Sequence, residues 1–195
     1  MKHRILIIQG HPDPAGGHFG HALAGAYAIG ATAAGHEVRR LNVAALDFPL
    51  LQTQADWNSG PVPGGLRGAQ ADIAWADHLA IFFPLWLGTM PARLKGFFEQ
   101  VLRPGFAFIA GDDGRAARKG LTGKSARVVV TMGMPVFWYR WYFGAHGVRG
   151  LERSVLAFCG IEPIRETFIG LVGMKDEQGR DRWIGRLEEL GRQGG

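Results

Sequence analysis

The sequence contains one cysteine, Cys159, so no disulfide can staple the chain internally. The amino-terminal "MKHRILIIQG" enters a short apolar run without a small-residue cleavage site, and the two features together point to the cytoplasm. No apolar stretch approaches the ~20 residues needed to cross a bilayer, which argues against membrane insertion and leaves peripheral docking open. Also missing is a continuous Lys/Arg stripe. The formal net charge is +5, yet the basic residues are scattered, with local density only at "GRAARKG" (114–120). That distribution argues against nucleic acid and leaves anionic small molecules as partners.

What is present is globular composition, 47% hydrophobic and 20% charged, in a length that suits one domain over residues 1–195. Short β-rich apolar runs alternate with longer stretches of helical period. "ILIIQG" (5–10), "LAIFFPL" (79–85) and "ARVVVTMG" (126–133) are nearly uninterrupted, as strands buried on both faces are. "HEVRRLNV" (36–43) reads as a second strand and "IRETFIGLVG" (164–173) as the last. Helices are predicted over 18–34 and 69–76, from Pro91 through Leu102, around Leu151, Val155, Phe158 and Cys159, and through Trp183, Leu187 and Leu190. Residues 47–68 read as an irregular excursion, and Arg103 to Lys124 as a mobile flap. With right-handed crossovers, this pattern predicts a three-layer α/β/α open sheet of five parallel strands, order 2-1-3-4-5.

In such a sheet, ligands bind beyond the carboxyl ends of strands one and three, where the winding direction reverses. Three loops therefore matter: those after Gln9, Phe83 and Thr131. In "GHPDPAGGHFGHAL" (10–23), Gly16 and Gly17 allow backbone amides close approach to a ligand, and the following helix aims its positive end at it. The turn carries neither GxxxxGK[ST] nor GxGxxG, so a phosphate cradle and a plain connecting turn both remain open. His11, His18 and His21 raise the question of a metal, but no carboxylate or cysteine joins them at a known ligand spacing. "FFPLWLGTMP" (82–91) places Pro84, Leu85, Trp86 and Leu87 just past a buried strand, which suits either a planar ligand or a subunit contact. "TMGMPVFWYRWYFGAHG" (131–147) packs six aromatic residues before His146, a density that suits a lid over a redox ring or a subunit interface.

Taken together, these loops resemble the flavodoxin-like NAD(P)H:quinone oxidoreductase family, which includes DT-diaphorase, modulator of drug activity B and the ancillary oxidoreductases of potassium efflux systems. The likeness covers nearly the whole chain. "FPLWLGTMPARLKGFFEQVLRPGFAF" (83–108) is similar to the family's FPLxW…GFAF signature, and "TMGMP" (131–135) to its flavin loop. The serine that relatives often carry in the first loop is replaced by Gly16 or Gly17, and the following asparagine by Gly20.

The resemblance implies FMN or FAD as cofactor and NAD(P)H as co-substrate. It implies His11, Gly17, His18 and Phe19 along the phosphate and ribityl chain, and Pro84, Leu85, Trp86 and Leu87 against the ring. Thr131, Met132 and Gly133 would close the other edge of the ring. His146, with Tyr139 or Tyr142, would stabilise the reduced ring. The implied activity passes a hydride from NAD(P)H through flavin to a quinone-like acceptor, in a site between two subunits of a homodimer. Arg115 and Arg118 could meet a 2′-phosphate. An alternative implied by the potassium-efflux members is a flavin-binding accessory subunit docked on a membrane transporter.

Overall fold

The first strand, β1 (Arg4–Gln9), alternates its side chains between two cores: Leu6 and Ile8 join one apolar cluster, Ile5 and Ile7 the other. A strand apolar on both faces needs cover on both sides, and the rest of the chain supplies it. The computed structural model describes residues 2–109 and 118–195. After β1 come α1 (Phe19–Ala33), β2 (Glu37–Asn42), α2 (Gln54–Ser59), α3 (Arg67–Trp75), β3 (His78–Pro84) and α4 (Ala92–Val101). There follow β4 (Phe108–Ile109), β5 (Arg118–Lys119), β6 (Lys124–Thr131), α5 (Val136–Trp141) and α6 (His146–Gly150). A π-helical turn (Leu151–Leu156), α7 (Ala157–Cys159), β7 (Ile161–Ile169) and α8 (Glu177–Gln193) complete the order.

The main sheet runs β2-β1-β3-β6-β7 with every pairing parallel, which is 2-1-3-4-5 when its own strands are counted along the chain. One face is covered by α1 and α8, which bury Leu23, Tyr27, Leu187 and Leu190 against Ile5, Ile7, Ala80 and Phe82. These two helices cross closely because Gly191 has no side chain; a Cβ there would lie 2.1 Å from the Tyr27 carbonyl oxygen. The other face is covered by α3, α4 and the helical stretch from α6 to α7, over Leu79, Ile81, Phe83, Val128 and Val130. Among the described residues no helix is long and apolar enough to cross a membrane.

Several sequence expectations need correction. The excursion at 47–68 contains α2, started by Thr53, whose hydroxyl accepts from the Asp56 N–H at 3.1 Å. Arg103 does not begin a flap. It is buried, and its guanidinium donates to the carbonyls of Asp56 (2.8 Å) and Gly60 (2.7 Å), tying the excursion to the end of α4. Within the expected flap, β4 pairs antiparallel with β5, where Arg118 is exposed. Arg115, with most of "GRAARKG", lies outside the described residues. The last strand begins at Ile161, three residues before the expected Ile164 and directly after Gly160 ends the preceding helix at φ 102°. The aromatic third loop contains a short helix, α5, and runs into the start of α6.

Candidate active site

Beyond Gln9 the chain must leave the sheet and turn before α1 starts at Phe19. Gly10 makes this possible: its N–H donates to the Phe82 carbonyl at 2.7 Å, and a Cβ there would lie 2.5 Å from the Leu94 side chain. The buried Gln9 carboxamide braces the loop, donating to the Gly20 carbonyl (3.1 Å) and accepting from the His11 N–H (3.0 Å). The Asp13 N–H donates to Nδ1 of His11 at 3.1 Å, so a neutral His11 carries its proton on Nε2. The Asp13 carboxylate accepts from the Ala15 N–H at 2.9 Å and pairs with Nε2 of His18 at 2.7 Å. Gly16 and Gly17 follow in succession at φ 75° and 76°, a region that a Cβ disfavours.

The three histidines of the loop gather at the start of α1. His11 and His18 stack with ring centroids 3.9 Å apart, and His21 lies 5.3 Å from His11. Burial, reinforced by repulsion from His18 and His21, holds His11 below the ordinary imidazole range; burial and His18 do the same for His21. The hydrogen bond from His18 holds the Asp13 carboxyl low. Both ring nitrogens of His21 are buried without a hydrogen-bond partner among the described residues. Beside them α1 begins with neither a side-chain cap nor an acidic residue in its first turn. Its amides and positive end therefore face the open glycine turn, and an anionic group satisfies such a set of donors. Among the described residues no group of three or more His, Cys, Asp or Glu has the geometry to hold a metal ion.

The second loop is a tight turn. Trp86 and Thr89 exchange backbone hydrogen bonds of 2.9 and 3.1 Å, and Leu87 and Gly88 between them stand at φ 48° and 79°. Leucine in this conformation is strained, and here its side chain is fully exposed, at 105% of the reference area. Trp86 meets His11 edge-on, centroids 6.0 Å apart, joining the first loop to the second. The Leu85 N–H donates to the Thr131 carbonyl at 2.7 Å, joining the second to the third.

On one side of this turn opens a cavity of about 690 Å³, lined mostly by apolar groups including Trp86, Leu87, Pro91, His146 and Leu151. Its size is that of a small-molecule site. The structure thus brings His146, Trp86 and Leu87 to one cavity, while His11, Gly17, His18 and Phe19 sit on the adjoining turn. Pro84 and Leu85 lie half-buried at the base of the second loop, and Thr131 beside them is half-buried also. Met132 and Tyr139 are placed differently. The Met132 side chain is in the core, its N–H donates to Ile169 (2.9 Å) and its carbonyl accepts from the Val172 N–H (3.2 Å); of this trio, Thr131 and the exposed Gly133 are left to face a ligand. Tyr139 is buried beneath the turn. Tyr142 is exposed, its ring stacked on Trp138 at 5.1 Å, and does not line the cavity. Three contributors went unread in the sequence. Gln9 and Gly147 carry no local signal beyond strand end and glycine. Lys95, a cavity wall, shows only an i,i+4 pairing with Glu99.

A parallel sheet bearing an anion-ready turn, an apolar turn and a cavity at its switch point is the arrangement of flavodoxin-like α/β proteins. The chain belongs to the family described as having a flavodoxin-like fold, whose model matches residues 3–190. Among curated relatives, a "Ribosyldihydronicotinamide dehydrogenase-like protein traD" of Penicillium crustosum is 37% identical over 93 residues. That match covers 45% of this chain and 33% of the fungal protein, so the chain corresponds to about a third of that relative's length. An "Uncharacterized NAD(P)H oxidoreductase" of Haemophilus influenzae is 28% identical over 189 residues, 94% of this chain and 91% of its own. Among solved structures, an NAD(P)H:quinone oxidoreductase from Methanothermobacter marburgensis superposes with a TM-score of 0.83 at 23% identity, covering 100% of both chains.

Proposed function

We propose that the protein is a flavin-dependent NAD(P)H oxidoreductase that passes a hydride from NAD(P)H to a quinone or similar acceptor. The observation that carries this reading is the juxtaposition of an anion-ready turn with a large apolar cavity walled by Trp86, Leu87 and His146. Relatives named as an FMN-dependent NADH:quinone oxidoreductase of Pseudomonas aeruginosa and an NAD(P)H dehydrogenase [quinone] of Rattus norvegicus support it.

The residues present fit a flavin, whether FMN or FAD. Its phosphate would answer the single orphaned N–H of neutral His21, the uncapped amides of α1 and the Nε2 proton of His11, with Gly17, His18 and Phe19 around it. Pro84, Leu85, Trp86 and Leu87 would give its ring an apolar bed, with Thr131 and Gly133 toward the other edge. When bound, a flavin supplies the hydride chemistry: it accepts from the nicotinamide and gives to the acceptor. The chain binds, orients and excludes water, and His146 in the cavity wall supplies the hydrogen bond or charge that balances a reduced, anionic ring.

The loops at the same end of the sheet expose Phe137, Trp138, Trp141 and Tyr142 after β6 and Trp86 and Leu87 after β3. An apolar surface of this kind belongs against a second copy of the chain, which makes the working unit a homodimer. Light scattering at micromolar protein should give twice the monomer mass; a monomer removes this part of the reading. The buried free thiol Cys159, its pKa pushed up to about 11 by burial, suits a reducing cytoplasm.

Purified protein supplied with FMN or FAD should oxidise NAD(P)H when a quinone is added, and inertness with both flavins contradicts the assignment. His146→Ala should slow reduction of the bound flavin about 10²-fold while changing flavin affinity little. Stopped-flow traces that match the parent would remove His146 from the chemistry.

A further inference from the structure

Of the six aromatic side chains between Phe137 and Phe143, five are exposed; Tyr139 is 1% exposed and packs edge-on against Phe168, centroids 5.8 Å apart. Both of its polar ends are engaged with the loops of the candidate site. The hydroxyl donates to the Gly88 carbonyl at 3.0 Å and accepts from the Val148 N–H at 3.3 Å. The Tyr139 carbonyl accepts from the Ala145 N–H at 3.1 Å. His146 therefore sits on a segment, Ala145 to Val148, fastened to one residue at both ends. That residue also holds the turn carrying Trp86 and Leu87.

Two further features show that the fastening is built and not incidental. Gly147 packs so tightly on the turn that a Cβ would lie 2.2 Å from the Gly88 carbonyl oxygen and 2.7 Å from the Thr89 Cα. Leu87 (φ 48°) and Ala145 (φ 51°) lie on the two fastened segments, in a left-handed conformation that non-glycine residues hold only when their surroundings impose it. Strain of this kind, clamped through one hydroxyl, fixes the distance between two loops.

We infer that Tyr139 is a positioning residue: it sets His146 against the Trp86–Leu87 turn through Val148 and Gly88, and does not itself touch the reacting ring. The inference rests on the proposed function for what His146 is positioned to do. It also yields a consequence in the flavin-free protein. Tyr139→Phe keeps the ring in its slot and removes only the hydroxyl, leaving the Val148 N–H and the Gly88 carbonyl unpartnered.

The test has two parts. In flavin-free protein, hydrogen exchange at the Val148 amide should be about tenfold faster in Tyr139→Phe than in the parent. Equal protection in the two proteins overturns the clamp, whatever the protein's activity. In protein loaded with flavin, anaerobic reduction by NAD(P)H should slow about tenfold, while the flavin dissociation constant stays within about threefold. Tyr139→Phe should also add nothing further in a His146→Ala background, since its effect runs through His146. An unchanged rate, a loss of affinity that matches the loss of rate, or full additivity with His146→Ala each overturns the assignment. If Tyr139→Phe does not fold, Gly147→Ala, which forces the same two segments apart, carries the test with the same split expected and the same contrary results. A parent protein inert with both flavins would contradict the proposed function and leave the exchange result standing by itself.

Discussion

Gly17 has no atom within 4 Å of where its Cβ would go, so conformation, not crowding, calls for glycine there. At φ 76° an alanine costs about 1 kcal/mol and pulls the turn toward negative φ, which would rotate its amides away from the start of α1. Gly17→Ala should weaken flavin binding about tenfold while moving the melting temperature by only a few degrees, and calorimetric titration checks it. Unchanged affinity would mean the turn is a connector and not a cradle. What was legible at this scale is placement: the aromatic and proline residues directly after a buried strand, and the adjacent glycines before a helix, do stand on neighbouring loops at the carboxyl ends of the strands. The role of Tyr139 was not legible. A six-residue helix such as α5 is too short for periodicity to show which of its aromatic residues faces inward, and residue type alone gave Tyr139 and Tyr142 equal standing. That the Met132 side chain turns into the core was hidden for a related reason, since the side facing the core at a strand end depends on where the strand stops.

The stretch from Leu151 to Cys159 shows how an element can defeat a pattern that is present. Helical spacing points to Leu151, Val155, Phe158 and Cys159 as its buried face, but Leu151, Leu156 and Cys159 are buried while Phe158 is exposed. The π-helical turn from Leu151 to Leu156 widens the repeat and carries the apolar stripe one position onward. In the next element, Pro163 and the polar residues of "IEPIRET" masked the start of β7, which tolerates them because it lies at the sheet edge. The π turn also sets Glu152 against Glu166 of β7. Burial first, then their shared hydrogen bond and mutual repulsion, push the Glu152 carboxyl up to about 7. Because the folded pKa lies above the unfolded 4.5, the contribution of Glu152 to stability is fully present below pH 4.5 and is lost as pH rises through about 7. Glu152→Gln keeps a neutral donor toward Glu166, so it should melt about 2–4 °C above the parent at about pH 8 and together with it at about pH 4. Equal melting temperatures at both pH values would show that the pair carries no such penalty.

Across the whole molecule, strand order and layering followed from the sequence because parallel strands with two buried faces leave so few arrangements. Length, net charge and scattered basic residues bounded the class of ligand but not its identity. The non-glycine residues with positive φ among those described are Leu87, Ala145 and Leu171, and all three follow the carboxyl ends of sheet strands or lie on the loops beside them. At the opposite end, His78 is buried, its imidazole lowered to about 3 chiefly by burial, and hydrogen-bonded to Ser125 at 2.8 Å. Strain and exposed aromatic surface thus gather where the switch point predicts a ligand, and the buried polar contact at the other end serves the fold. The central claim, that a flavin working as a hydride relay occupies the switch point, is tested most directly by one anaerobic absorbance series. The purified protein is mixed with FMN or FAD, then with NADPH or NADH, then with a quinone. The account predicts a protein-bound flavin whose visible band bleaches with the nicotinamide and returns with the quinone. Failure to retain either flavin, or retention without bleaching by either nicotinamide, would contradict it.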